Sequence, residues 1–243
     1  MGEAFLWGLL AGSSLVIGGL VALTGLVRSR VLGLVMAFGA GVLISAVSFE
    51  LVEEAFATSG STSAVALGLF AGAAVFFLGD AAIDRYGGAE RKSMVGAQVS
   101  GSGYAIVLGI ILDGIPESMV IGLGLLEGGD VSAAVIAAVF LSNLPEAIAA
   151  TSGLVASGWA RRKILGLWVL VALVTALASL AGYAWFDGAS DETVAFVLAF
   201  AGGAVLTMLA DTMMPEAFEH GGKLVGLATT LGFAVAFAIT ALE

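Results

Sequence analysis

Cysteine is absent from this 243-residue chain, proline occurs three times and histidine once. Without cysteine there are no disulfides, no thiolate metal ligands and no cysteine nucleophile. This weighs against a thiolate route for copper(I), since soft metals favour sulfur ligands; the seven methionines could supply thioethers, but core packing explains them more simply. A single histidine, His220, set beside acidic residues, supplies neither a Ser-His triad nor a zinc-hydrolase cage. Charge is scarce too, at 12% of residues, and what there is gives a net charge of -10. That balance argues against nucleic acid and against a basic membrane-binding face. Long polar segments are also missing. The longest interruption, about residues 85–103, reads as a flexible loop, so the chain is expected to be one domain over 1–243 with no soluble module.

What fills the sequence is apolar, with 60% hydrophobic residues and a mean hydropathy of +1.09. Stretches near twenty residues match the length that crosses a bilayer as helix. Eight are expected, at about 4–27, 31–53, 62–83, 104–126, 131–157, 164–186, 192–213 and 223–241. The fold class is therefore all-α, a polytopic protein of eight transmembrane helices in contact with membrane lipid. Thirty-five glycines suit that class, because small residues let helices approach closely in membranes. Gly8 with Gly12 and Gly68 with Gly72 have the spacing for it. The basic residues Arg28, Arg30, Arg85, Arg91, Lys92, Arg161, Arg162, Lys163 and Lys223 all follow odd-numbered spans. Those loops are then cytoplasmic by the positive-inside rule, and both termini are expected outside. Met-Gly-Glu at the start lacks a basic signal-peptide flank, so the first span is expected to be retained.

A glutamate follows each proline, in Pro116-Glu117, Pro145-Glu146 and Pro215-Glu216. The first two lie in twin phrases, Leu112-Asp-Gly-Ile-Pro-Glu117 and Leu141-Ser-Asn-Leu-Pro-Glu146, inside apolar spans. Proline in a helix frees the carbonyl one turn earlier, here those of Leu112 and Leu141. A carboxylate in such a span is costly and marks a pathway or binding site. Asp113 and Glu117 share a helix face, as do Ser142 and Glu146, with Asn143 three residues before Glu146. If the two helices meet at their prolines, Asp113, Glu117, Ser142, Asn143 and Glu146 form an oxygen-rich site for a divalent cation. Three carboxylates gathered in an apolar medium cannot all stay ionised without a cation, so metal entry would release protons.

Glu50, Glu53 and Glu54, near the outer end of the second span, are candidates for an entrance or a solvated helix end. Asp211, Glu216, Glu219 and His220, at the cytoplasmic end of the seventh span, are candidates for an exit, with His220 expected in a loop. Asp80 and Asp84 are expected to end the third span at the interface. The segment Ala37–Phe56 aligns without gaps to Ala199–Phe218. Spans two and seven run in opposite directions, so this echo predicts inverted-repeat character with a site near the midplane.

At these residues the chain resembles the ZIP (Zrt-/Irt-like protein) family of divalent metal transporters. The family's helix-4 phrase His-Asn-x-Pro-Glu and its helix-5 partner are matched by the two Pro-Glu phrases, and Asp211-Thr-Met-Met-Pro-Glu216-Ala resembles a third family segment. The resemblance implies eight helices, outside termini, plasma-membrane location, frequent homodimers and no enzymatic activity. It also implies a divalent metal ion (zinc, iron(II) or manganese) as substrate rather than cofactor, taken up by alternating access. Asp113 stands where the family has histidine, and Gly114 where it has asparagine. These departures make the site harder and point to one main metal position. Two other classes stay open: a proton-coupled transporter of a small organic solute, and an intramembrane hydrolase. The second lacks its Gly-x-Gly-Asp, since position 77 is phenylalanine.

Overall fold

A computed structural model describes residues 1–85, 103–125 and 132–242. Apart from its two end residues, the loop expected over 85–103 lies outside the described residues, as do residues 126–131. Every described element is helical. In chain order they are α1 (Gly2–Leu23), α2 (Ser29–Ala46), a π-helical segment π1 (Val47–Glu53), α3 (Glu54–Ser59) and α4 (Thr62–Ile83). After these come α5 (Gly103–Gly124), α6 (Ala133–Ala156), α7 (Arg161–Phe186), α8 (Asp191–Met208), a second π segment π2 (Leu209–Met213), α9 (Met214–Gly221) and α10 (Val225–Thr240).

Seven helical runs are long and apolar enough to cross a membrane. The last, Asp191–Thr240, is 50 residues, about 75 Å if straight, over twice the hydrocarbon thickness. It is two limbs. Gly222, at φ 64° and ψ −148°, reverses the chain, a conformation that favours glycine. On one limb Gly202 lies against Val47 and Leu51, while Gly33 lies against Ala217 and Gly221, so α8–α9 runs opposite to α2. On the other, Phe49 packs on Phe233 and Phe237 at 6.1 and 5.2 Å between ring centroids, and Glu50 meets Thr240, so α10 runs with α2.

The second span is longer than expected. Instead of ending at residue 53, the helix passes through π1 and α3 to Ser59, where Gly60 at φ 61° provides the left-handed cap. Ala55, Phe56 and Ala57 give that extension no reason to stop earlier. Asp80, expected at an interface, is instead buried within α4 at 8% exposure.

The echo between Ala37–Phe56 and Ala199–Phe218 is a structural repeat. The same shift carries Val47, the first residue of π1, onto Leu209, the first of π2. It also carries Gly41 onto Gly203. A Cβ at Gly41 would run into the carbonyl of Thr229 on α10, and one at Gly203 into that of Leu69 on α4. Reciprocally, Gly232 on α10 abuts the Phe38 carbonyl and Gly72 on α4 abuts that of Phe200. The α2–α10 and α8–α4 pairs are thus the same packing used twice, and because α2 and α8 are antiparallel the repeat is inverted. Glycine is required at these four points, since any side chain would force backbones apart. Gly8 and Gly12 do the same for α1 against Ser179 and Thr175 of α7.

The helix most enclosed is α6, 72% buried over its apolar window against 22% for α4. Gly18 of α1 approaches the Leu144 carbonyl of α6, and Trp168 of α7 lies fully buried against Gly19 with its indole N–H donating to Thr151 of α6 at 2.7 Å. The exposed large side chains, such as Phe70, Leu78, Leu227 and Leu231, form an apolar outer surface suited to lipid.

Candidate functional site

Pro116 and Pro145 sit inside continuous helices. Ser118 donates to the Gly114 carbonyl at 2.7 Å, a local bond in the turn the proline disturbs. The Leu141 carbonyl, left without its amide partner by Pro145, faces Gly39 of α2, lying 3.1 Å from where a Cβ would stand. Absence of a side chain at Gly39 is what lets α2 come up to this turn, and Met213 of π2 closes over the same glycine.

Both Pro-Glu phrases are turned inward. Asp113, Glu117, Ser142, Asn143 and Glu146 are all at most 3% exposed. Ser142 brings the two helices together, its hydroxyl standing 3.5 Å from each carboxylate oxygen of Glu117 and 3.1 Å from the Val139 carbonyl. Asp113 lies one turn before Glu117 on α5, and Glu146 one turn after Ser142 on α6. Asn143 Nδ2 is buried with no hydrogen-bond partner among the described residues, a donor held in a place where leaving it unmet is costly. Among the described residues, no three His, Cys, Asp or Glu side chains are gathered closely enough to enclose a metal ion. The described centre is therefore a carboxylate–hydroxyl contact with two further buried carboxylates one helical turn from it.

Beside Glu117 is a cavity of about 20 Å³, counted as space open to the centre of a water-sized sphere, lined by Leu43, Val47, Val120, Val135, Val139 and Val205 among others. It has room for about one water, and among the described residues Glu117 is the one ionisable group in its wall. Sequence patterning did not single out these valines, because an apolar residue facing a cavity reads like one facing lipid. Their signal is the convergence of four chain segments, which exists only in three dimensions.

The flanking acids fall in separate places. Glu50 accepts a hydrogen bond from Thr240 Oγ1 at 2.7 Å. Glu53 is exposed. Glu54 lines a wider space, about 380 Å³ by the same measure, with Asp187 and Asp191. Asp211 is exposed on π2 and Glu216 half-buried on α9. His220 is not in a loop: it ends α9, packs its Cβ toward Gly33 of α2, and has its Nε2 buried. The helix continues there because Pro215 lies within an unbroken run from α8 through π2, where its missing amide frees the Asp211 carbonyl of π2.

A helical bundle with an apolar exterior, prolines inside its central helices and carboxylates buried between them is the architecture of a membrane transport protein. Residues 85–240 match the family described as ZIP zinc transporter, and the chain belongs to that family, whose members move divalent metal ions. The match covers α5 to α10, while α2 and α4 are joined to it by the repeat. Among curated proteins none matches the chain.

Proposed function

We propose that the protein carries divalent transition-metal ions (zinc, iron(II) or manganese) across the plasma membrane into the cytoplasm, with alternating access about the α5–α6 carboxylates. The observation that carries this reading is the Glu117–Ser142 contact between the two Pro-Glu helices, beside a cavity of water size. A dipositive ion entering there exchanges carboxylate repulsion for attraction. Asp113 and Glu146, each one turn away, are then drawn toward it, with Ser142 and Asn143 supplying neutral oxygens. The ligand set is all oxygen, which suits manganese and iron(II) as well as zinc.

The reading includes eight crossings, counting the two limbs of Asp191–Thr240 separately, with both termini outside and the basic loops in the cytoplasm. Glu53, Glu54 and the neighbouring Asp187 and Asp191 form the entrance; Asp211 and Glu216 lie on the way out. The working unit is a homodimer in lipid. Uptake into proteoliposomes of zinc, manganese, iron(II), cobalt and cadmium tests it, with Glu117→Ala and Glu146→Ala alongside. At least one metal enters the wild type, and both variants fall to the level of empty liposomes. Uptake equal to wild type in the variants, or no metal entry at all, overturns the proposal and brings an organic solute forward.

A further inference from the structure

The repeat pairs residues beyond the glycines that reveal it. Glu50 lies nine positions after Gly41, and Thr212 nine after Gly203. Thr240 lies eight after Gly232, and Asp80 eight after Gly72. Since π1 and π2 begin at matched residues, the register holds through both segments. The observed bond from Thr240 on α10 to Glu50 on π1 therefore has a counterpart position in the other half, occupied by Asp80 on α4 and Thr212 on π2. Carboxylate and hydroxyl have changed places. In one half the π segment holds the acid and the partner helix the threonine; in the other the partner helix holds the acid.

The burial agrees. Asp80 is buried, and Thr212, Glu50 and Thr240 are half-buried. Thr212 Oγ1 donates to the Met208 carbonyl at 2.8 Å, a bond that a threonine exchanges for a better acceptor by a χ1 rotation. Because α2 and α8 run oppositely, with Gly202 beside Val47 and Leu51, the two positions fall on opposite sides of the repeat's centre. Each is about 8 Å from it at 1.5 Å per residue, with the Glu117–Ser142 contact between them. Segments of π-helix are places where a helix can shift its hydrogen bonding and bend.

We propose that Asp80 and Thr212 form the mirror of the Glu50–Thr240 hydrogen bond, and that the two pairs are positioning residues for transport. One fastens π1 to α10 on one side of the site, and the other fastens π2 to α4 on the opposite side. Neither touches the metal. This role rests on the transport reading above; the pairing itself does not.

The absence of cysteine makes the test clean. Full-length variants Glu50→Cys/Thr240→Cys, Asp80→Cys/Thr212→Cys and, as a control on the lipid face of α4, Phe77→Cys/Thr212→Cys are oxidised in membranes. Disulfide-linked peptides are then read by mass spectrometry. The first two pairs cross-link to comparable yield and the control does not. An 80–212 yield at the control level, with 50–240 formed, overturns the pairing. The role is read from uptake by Asp80→Thr, Thr212→Glu and the two combined, which recreates the other half's arrangement. Each single change lowers the maximal rate about tenfold, the scale of one charge-assisted hydrogen bond, with KM unchanged, and the combination recovers to within about threefold of wild type. A combination no faster than the slower single variant overturns the role. Wild-type uptake without the 80–212 cross-link removes the pairing and its role, and leaves the transport reading standing. No uptake by the wild type removes the transport reading and the role with it, whatever the cross-link yields.

Discussion

The two halves of the repeat are alike in backbone and unlike in chemistry. The α2–α10 and α8–α4 pairs share their glycine contacts, their π segments and the Ala-Phe ends at residues 55–56 and 217–218. Yet Glu50 corresponds to Thr212, Glu53 to Pro215, and Thr240 to Asp80. Backbone likeness follows from packing, because a helix crossing closed over glycine tolerates no other geometry. The polar residues at each end are free to differ because each end faces a different side of the membrane. The site between them is likewise a pair of unequal twins: the two Pro-Glu phrases agree, but Asp113-Gly114 faces Ser142-Asn143.

Breaking the backbone likeness has the largest effect. Gly72→Leu and Gly232→Leu each place a side chain against a carbonyl, and neither variant is recovered as a folded, monodisperse protein by size-exclusion chromatography. The milder Gly41→Ala and Gly203→Ala each cost about 1–3 kcal/mol, as overpacked cores do. Their thermal unfolding midpoints in detergent fall by similar amounts; a silent partner in either pair would mean that the two crossings are not equivalent. At the site, Ser142→Ala removes the hydroxyl that joins α6 to Glu117. About 1.5–3 kcal/mol is typical of a bond to a charged group, and the long 3.5 Å contact places this one at the low end, so metal uptake falls about tenfold without loss of folding. Smallest is Trp168→Phe, which leaves Thr151 without its indole donor. It lowers stability by about 1 kcal/mol, seen as a small shift in melting, with uptake unchanged.

Much of this was legible in the sequence, for reasons tied to particular residues. Membrane helices are read from length and hydropathy, and the spans of α4, α5 and α6 fell where apolar runs predicted. The twin Pro-Glu phrases led to the inward faces of α5 and α6, because burying a carboxylate is too costly to be incidental. Ends were harder. The acids at 50, 53 and 54 read as a helix end although Ala55, Phe56 and Ala57 carry the helix on to Ser59, and the acids around His220 read as a loop although its Cβ packs toward Gly33 of α2 within α9. A second echo, Val65 to Ala81 against Val225 to Ala241, shares Val, Leu, Gly, Ala, Val, Phe and Ala at matched positions. It is hidden by the prevalence of those residues in any membrane span, and only the glycine contacts single it out. The π segments left little local mark: no proline or glycine lies within Val47–Glu53 or Leu209–Met213, and Pro215, two residues past the second, is the one sign beside them. Convergence of Asp113 and Glu146 on Glu117 was expected from spacing alone. Spacing fixes the face of a helix but not how far two helices are rotated about their axes, and the described contact joins Glu117 to Ser142.

The most direct test of the central claim is X-ray absorption at the metal edge on the purified, zinc- or manganese-loaded protein, beside Glu117→Ala and Glu146→Ala. The account predicts a shell of oxygen with no imidazole scattering, and loss of bound metal in both variants. An imidazole signature, which only His220 could give, or metal retained in full by both variants, would contradict a carboxylate site between α5 and α6.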